Sequence, residues 1–352
     1  MSKINLLTIH YGDNNGSILQ TYSTVKLLER LGHDVTIIDL WAPHFIFNYK
    51  NKDHWFYCLR RFFTNRLRHK LLPNRTKRMT TICPTDIPDS DYTIVGSDQV
   101  WNKDITKERA LSYFLDFVPQ SSKRIAFASS FGKAFWMEEK DYTDKVRCEL
   151  QKFVAVSVRE HSGVDICKNV FNIDATCVID PTLALHDFSN LLPAKLSQKN
   201  EVGCFTFMPN GYSLKVAEEI AKRERLSVRH VNHSGIRKRS KYATGHYWRN
   251  SPDKWLQYIA QSSYFVTDSF HGVACCIILR KQFVALCADE KKFERIRSLL
   301  NLLGLEKQIV FSCEDLIDRY EIIMKPIDYN GVYSVLEKES EKAINFLKNN
   351  II

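Results

Sequence analysis

The sequence predicts an α/β protein made of two Rossmann-like, doubly wound domains with a cleft between them. Its 352 residues suffice for two domains, at roughly 150 residues each. Short apolar runs alternate with segments of helical periodicity, which is the pattern of parallel strands joined by crossover helices. With 44% hydrophobic and 26% charged residues the chain has enough apolar side chains for a core, which excludes a disordered or fibrous protein.

The first βαβ unit occupies residues 4–40. Residues 4–9 form a short apolar run typical of a buried parallel strand, and a turn-rich stretch follows at 11–17. Apolar residues then recur at helical spacing from Ile18 to Leu28, before Gly32 ends the helix. Residues 35–40 form the next strand, so this order builds a right-handed parallel crossover.

The same alternation continues through an N-terminal domain, 1–182, and a C-terminal domain, 183–352. Ser251 and Pro252 mark the start of one helix in the second domain. A final helix at 332–348 closes the chain and is a candidate to pack back on the first domain. Further strands are predicted at 92–95, 124–128, 154–158, 176–179, 202–207, 227–231, 264–267 and 283–286.

Membrane-spanning and secreted proteins are not expected. The best apolar run, Val273 to Leu279, ends at Arg280 and Lys281, well short of the roughly 18 residues that a spanning helix needs. The first residues lead directly into a predicted strand, and they do not have the layout of a signal peptide. Ten scattered cysteines with no C-x-x-C pair indicate reduced thiols and no structural zinc. We therefore expect a cytoplasmic protein.

The positive charge of the chain is local. Its formal net charge is +10, and eight basic residues without an acidic one lie between His54 and Thr85. They belong to a basic, aromatic insertion at about 41–88, for which we predict one or two amphipathic helices. Two interpretations stay open: a solvated helical face, or a surface resting on the anionic inner membrane leaflet, where each basic residue adds about 1 kcal/mol. Charge confined to one insertion argues against a nucleic-acid partner.

Two clusters at predicted strand ends suit a saccharide. Asn14 to Ser17, followed by Gln20, places small residues and free N–H groups at a helix start, where an anion or a sugar hydroxyl can bind; the alternative is a simple cap and turn. Gly96-Ser97-Asp98 is followed by Trp101 and Asn102. There the polar groups can bind hydroxyls and the Trp101 ring can cover a sugar, or Ser97 and Asp98 can simply cap a helix.

Two other strand ends suit an anion and a proton transfer. Arg159 can hold a carboxylate or phosphate with its planar guanidinium, or form a surface pair with Glu160. His271 follows Asp268 and Ser269 at the start of an apolar helix. A histidine in that place can transfer protons near neutral pH, although many strand-end histidines are structural.

In this order the clusters resemble the polysaccharide pyruvyltransferase family along nearly the whole chain. The matching segments are NGSILQ at 15–20, GSDQVWN at 96–102, AFASSFG at 126–132, SVRE at 157–160, DPT at 180–182 and TDSFHG at 267–272. The resemblance implies a GT-B-like fold with the acceptor on the N-terminal and the donor on the C-terminal domain. It also implies transfer of the enolpyruvyl unit of phosphoenolpyruvate to sugar hydroxyls of a cell-surface glycan precursor, which releases phosphate.

The resemblance also implies roles for site residues. His271 matches the family's cleft histidine, and Arg159 a basic residue that holds the donor. We also expect Ser269 and Gly272 to bind the donor. Some branches of the family have an arginine where this chain has Ser269. The saccharide, free or lipid-linked, is assigned to Asn15, Gly16, Gln20, Ser97, Trp101 and Asn102.

The residue types fit an acid-catalysed ketal formation. We expect His271 to protonate the methylene carbon of phosphoenolpyruvate, Asp268 to orient the imidazole, and Asp98 to bind or deprotonate the acceptor hydroxyl. No metal and no cofactor beyond phosphoenolpyruvate as co-substrate is expected, since no metal-ligand spacing occurs. The main alternative is a GT-B-type glycosyltransferase that uses a nucleotide sugar.

Overall fold

The strands in the described part of the chain form two sheets, each entirely parallel, which confirms the predicted α/β class. The computed structural model describes residues 1–11, 14–42, 70–207, 211–231, 251–287 and 290–352. Within these ranges the first sheet contains β1 (Lys3–Leu7), β2 (Asp34–Ile37), β3 (Tyr92–Val95), β4 (Lys123–Ser129), β5 (Phe153–Val158) and β6 (Thr176–Cys177). The second contains β7 (Lys199–Phe205), β8 (Ser227–His230), β9 (Ser262–Thr267), β10 (Gln282–Leu286) and β11 (Ile309–Val310).

The described residues divide into two compact units. The first comprises Met1–Leu185 and Glu337–Ile352, and the second comprises His186–Leu336. The α-helices of the first half are Asn15–Arg30, Lys103–Thr106, Lys140–Leu150, His161–Phe171 and Pro181–Leu185. Those of the second half are Gly211–Glu224, Pro252–Gln261, Phe270–Ile278, Glu290–Leu302, Cys313–Asp318, Tyr320–Met324 and Tyr329–Asn350.

The last helix contributes to both units. Near its start the hydroxyl of Tyr333 donates to the carbonyl of Ile278, at 2.8 Å, inside the second unit. Near its end the ring of Phe346 stacks on Phe127 of β4, with 6.3 Å between the centroids. The chain terminus follows the same path, because the backbone N–H of Ile352 donates to the hydroxyl of Tyr92 at 3.0 Å. The final residues therefore complete the core of the first unit.

The order of the strands decides where polar side chains can meet. The first sheet has the order β2-β1-β3-β4-β5-β6, so successive strands are added on opposite sides of β1, and the strand order reverses between β1 and β3. The second sheet has the order β11-β10-β9-β7-β8, and the change lies between β7 and β9. Ligands of doubly wound sheets bind beyond the carboxyl ends of the strands at such switch points. The candidate ligand-binding residues are thus those that follow β1 and β3 in the first sheet, and those that follow β7 and β9 in the second.

Most of the predicted strands are present, with ends shifted by a few residues. The strand Tyr92–Val95 is found as predicted, and the first helix ends at Arg30, followed by Gly32 with a φ of +87°. Strand β11 was not predicted, because two residues, Ile309 and Val310, are too short for a periodic signal. Residues 43–69, which include most of the basic insertion and its predicted helices, lie outside the described residues.

No helix among the described residues is both long enough and apolar enough to cross a membrane. The nine cysteines within the described ranges are free thiols. Burial raises the pKa of the Cys167 thiol to about 12, with a smaller contribution from Glu160. That thiol is therefore uncharged near neutral pH and packs as a small apolar side chain.

Candidate active site

The carboxyl ends of β3, β5 and β6 bring Ser97, Arg159 and Asp180 together. The Arg159 Nη1 atom lies 2.8 Å from Asp180 Oδ2, and the Ser97 hydroxyl donates to the same oxygen at 2.7 Å. Two further carboxylates are near the guanidinium: Asp98 Oδ1 at 3.6 Å from Nη2 and Glu160 Oε2 at 3.7 Å from Nε. The sequence motifs GSD, SVRE and DPT thus meet in one cluster of buried charges.

The surroundings of Arg159, which is predicted to hold the donor, are buried and rich in carboxylates. Its side chain is only 1% exposed. Burial favours the neutral form, but Asp180, Asp98 and Glu160 outweigh burial and raise the pKa of Arg159 above its ordinary value. One guanidinium among three carboxylates leaves an excess of negative charge at this place. Arg159 therefore holds the strand ends together.

Asp98 is fixed in position by its surroundings. Its φ of +78° lies in a region that aspartate adopts more readily than most residues. The Ser17 hydroxyl donates to Asp98 Oδ2 at 2.7 Å, and the backbone N–H of Gln99 donates to Oδ1 at 2.8 Å. Sparsely populated backbone conformations of this kind persist where the surrounding structure enforces them, often at functional sites. The Asp98 carboxylate is thus held in one orientation at the switch point of the first sheet.

The helix Asn15–Arg30 begins at the same switch point. Asn14 occupies its N-cap, and its side chain accepts from the backbone N–H of Gly16 at 3.0 Å. Asn15 is 4% exposed. Gln20, predicted to bind a saccharide, is fully buried, and its amide nitrogen lies 3.0 Å from both Thr8 Oγ1 and the Ile9 carbonyl oxygen. That amide ties the helix to the segment after β1.

Trp101 is likewise not available to cover a sugar ring. It is 2% exposed, and its ring stacks on Phe114 with a centroid distance of 5.3 Å and tilts against Phe131 at 5.0 Å. Its indole N–H donates to the carbonyl of Tyr113 at 2.9 Å. Asn102 is the N-cap of the helix Lys103–Thr106, because its Oδ1 accepts from the backbone N–H of Asp104 at 3.1 Å. Trp101 therefore belongs to the core, and Asn102 acts as a cap.

In the second unit, the segment after β9 places His271 in the first turn of the helix Phe270–Ile278. Ser269 is the N-cap, and its hydroxyl oxygen accepts from the backbone N–H of Gly272 at 3.3 Å. Asp268 Oδ1 accepts from the backbone N–H of Phe207 at 2.8 Å, which joins the ends of β7 and β9. His271 is 5% exposed, and its ring meets the Phe270 ring edge-on at 5.3 Å. The histidine is therefore held at the switch point of the second sheet.

Gly272 is required for close packing of this turn. A Cβ atom at Gly272 would lie 2.5 Å from Thr267 Oγ1. We expect Gly272→Ala to lower the free energy of unfolding by about 1–3 kcal/mol, the usual cost of overpacking, and to reduce activity by moving His271. Urea unfolding and turnover assays measure both effects.

Gly163→Ala is the matched control, since Gly163 is also the third residue of a helix that follows a strand. There the added Cβ would lie 3.1 Å from Val158 Cβ, a less severe contact than the 2.5 Å at Gly272, and one that needs a shift of only a few tenths of an ångström. We expect a change in unfolding free energy within about 1 kcal/mol. Equal effects of the two substitutions would contradict the packing argument.

The sequence analysis missed a buried pair at the first switch point, His10 and Asp39. His10 is fully buried, with Nε2 2.8 Å from Asp39 Oδ1. Its Nδ1 lies 2.9 Å from the carbonyl oxygen of Thr8. A carbonyl oxygen only accepts, so Nδ1 carries a hydrogen. His10 follows the predicted strand 4–9 just as Asp98 follows 92–95, so the strand-end rule points to it. Asp39 lies inside the predicted strand 35–40, and it became a strand-end residue only because the observed strand ends at Ile37.

Two basic residues of the insertion also contact Asp39. Arg78 Nε lies 3.6 Å and Arg75 Nη1 3.8 Å from Asp39 Oδ2. The guanidinium of Arg78 also lies over the Trp41 ring, 4.1 Å from its centroid. Part of the local positive charge is therefore balanced inside the first unit. Arg60, Arg61, Arg66 and Arg68 lie outside the described residues.

Comparison with known families shows to which family the chain belongs. A sequence profile described as polysaccharide pyruvyl transferase matches residues 14–286. The chain belongs to this family. The matched range begins at the first polar cluster and includes Asp98, Arg159 and His271. The resemblance seen in the sequence is thereby confirmed, and the protein is a transferase whose family implies a saccharide acceptor.

Solved structures confirm the fold of this pyruvyl transferase family member. A UDP-N-acetylglucosamine 2-epimerase from Rickettsia bellii superposes with a TM-score of 0.59 at 10% identity, covering 99% of this chain and 96% of that chain. UDP-GlcNAc 2-epimerase from Neisseria meningitidis, bound to UDP-GlcNAc, gives 0.55 at 9% identity, with 99% and 100% covered. These similarities show the GT-B-like α/β fold alone. No protein in a comparison with curated proteins matches the sequence.

Proposed function

We propose that this protein transfers the enolpyruvyl unit of phosphoenolpyruvate to hydroxyl groups of a saccharide. Protonation of the methylene carbon makes C2 electrophilic, and a first hydroxyl adds there. Departure of phosphate and addition of a second hydroxyl, with loss of the two hydroxyl protons, give a pyruvyl ketal. The observation that carries the proposal is the family match, which includes a buried histidine at the start of a helix.

His271 is the proposed general acid. An imidazolium delivers a proton near neutral pH, and a positioned acid of this kind contributes about 10²- to 10⁴-fold in rate. The backbone N–H groups at the start of the helix Phe270–Ile278 favour the phosphate of the donor. Asp268, tied to Phe207, keeps the turn that carries His271 in place.

The donor carries several negative charges, Arg159 already pairs with carboxylates, and Ser269 caps its helix, so we infer that a further cation takes part in binding. The guanidinium of Arg295, in the second unit, lies 5.9 Å from the centroid of the Phe270 ring. Phe270 directly precedes His271 in the sequence. We assign the donor carboxylate or phosphate to Arg295, whose planar guanidinium suits either group. In the first unit, Asp98 and the helix start at Asn15 and Gly16 are assigned to the saccharide hydroxyls.

The test is an incubation of the purified protein with phosphoenolpyruvate and a panel of free and lipid-linked saccharides. We expect phosphate release that depends on the saccharide, and a product whose mass shows an added pyruvyl ketal. Thermal-shift titrations with phosphoenolpyruvate and with UDP-GlcNAc provide a comparison of the donors. Stabilisation by UDP-GlcNAc alone, together with sugar transfer, would instead identify a nucleotide-sugar glycosyltransferase.

A further inference from the structure

The loop after β4, residues 132–139, presents two large apolar side chains to solvent. Phe135 is 75% exposed and Met137 is 87% exposed, whereas Trp136 between them packs against the protein. Single exposed apolar residues are common on protein surfaces. Here, however, two exposed apolar residues occupy alternate positions of one loop. The loop lies on the carboxyl-end side of the sheet, as Asp98 does, which is where ligands of such sheets bind.

Trp136 fixes the conformation of this loop. Its ring packs edge-on against Phe171 at 4.9 Å and against Phe131 at 5.8 Å. Its indole N–H donates to the hydroxyl of Thr143 at 2.8 Å. Phe131 in turn tilts against the buried Trp101. The tryptophan of the GSDQVWN motif thus contacts Phe131, which in turn packs against the Trp136 ring that anchors the loop.

The charged groups beside the loop balance one another. Lys133 Nζ lies 2.8 Å from Asp104 and 3.4 Å from Glu138, and Lys103 Nζ lies 3.5 Å from Glu138. Such a surface has no excess positive charge with which to attract an anionic lipid leaflet. It nevertheless offers donors and acceptors next to an exposed aromatic face. Asn102, Lys103, Lys133 and Glu138 lie around Phe135 at a shallow depression of only about 10 Å³, so a sugar ring would rest on this surface and not inside a pocket.

We propose that Phe135 is the aromatic platform of the acceptor subsite, on which the C–H face of a sugar ring stacks while the neighbouring polar groups bind its hydroxyls. This inference rests on the proposed function for the identity of the ligand as a saccharide. In this proposal Phe135, and not Trp101, covers the sugar ring.

The test measures saccharide binding without phosphoenolpyruvate. Saturation-transfer NMR and calorimetry use the methyl glycosides of glucose, galactose and mannose with the wild type, Phe135→Ala and Phe135→Leu. We expect at least one glycoside to bind the wild type and to bind Phe135→Ala about two- to tenfold more weakly, the range of a single aromatic contact. Phe135→Leu is expected to lie between them, and Phe311→Ala, at a residue 47% exposed in the second unit, to bind like the wild type.

Kinetics separate this proposal from the proposed function. In transfer assays Phe135→Ala is expected to raise the KM for the saccharide and to leave the KM for phosphoenolpyruvate unchanged. Glycoside binding that depends on Phe135, without any pyruvyl transfer by the wild type, would refute the function and keep the subsite. Equal glycoside binding by wild type and Phe135→Ala, or binding to neither, would refute the subsite. So would loss of phosphatidylglycerol-vesicle binding in Phe135→Ala with glycoside affinity unchanged.

Discussion

Replacing His271 with glutamine is expected to lower saccharide-dependent phosphate release from phosphoenolpyruvate by about 10²- to 10⁴-fold. Glutamine approximates the size and hydrogen-bonding capacity of imidazole but has no ionisable proton to deliver to the methylene carbon. The helix Phe270–Ile278 keeps its Ser269 cap in this variant, so the melting temperature should change little. Steady-state phosphate release and a thermal melt on the same preparation measure the two quantities.

His161→Gln is the matched control for this substitution. His161 also opens a helix that follows a strand, but it is exposed and lies in the first unit. We expect its variant to retain wild-type turnover. If His271→Gln kept near-wild-type turnover, the proton would have to come from another group and His271 would have no part in the chemistry.

The alternation of elements could be predicted because each leaves a periodic trace in the sequence. A buried parallel strand such as Tyr92–Val95 is a continuous apolar run, and a helix such as Asn15–Arg30 repeats its apolar residues every three to four positions. The carboxyl ends of parallel strands share one edge of a sheet, so the meeting of Ser97 with Arg159 follows from topology. The general position of the site was therefore accessible from sequence.

The orientation and the partners of individual side chains were not accessible in the same way. Trp101 and Phe135 are both aromatic residues of polar loops, yet one is 2% and the other 75% exposed, and only packing decides between them. The pairing of Arg159 with Asp180 spans 21 residues of sequence and leaves no local pattern. Its neighbour Glu160 suggested a surface pair, whereas the guanidinium is buried among three carboxylates.

Removal of the Arg159 guanidinium is expected to destabilise the protein by about 3–5 kcal/mol, the usual cost of breaking a buried ion pair by removing one partner. Arg159→Met retains most of the aliphatic volume, so loss of charge and hydrogen bonding dominates the effect. Asp180, Asp98 and Glu160 would then repel one another in a buried site, which raises their pKa values in the folded state. Chemical unfolding of the variant and the wild type measures the difference in unfolding free energy.

The pH dependence and a second substitution separate this role from donor binding. Carboxyl groups whose pKa is raised on folding destabilise the fold at pH values above that raised pKa, and their cost disappears as pH falls toward the unfolded values of about 4. The loss in Arg159→Met should therefore be larger at about pH 8 than at about pH 5. Asp180→Asn should destabilise the wild type but recover stability in the Arg159→Met background, because it removes one of the repelling charges. A variant with unchanged stability at both pH values and only a raised KM for phosphoenolpyruvate would restore Arg159 as the residue that holds the donor.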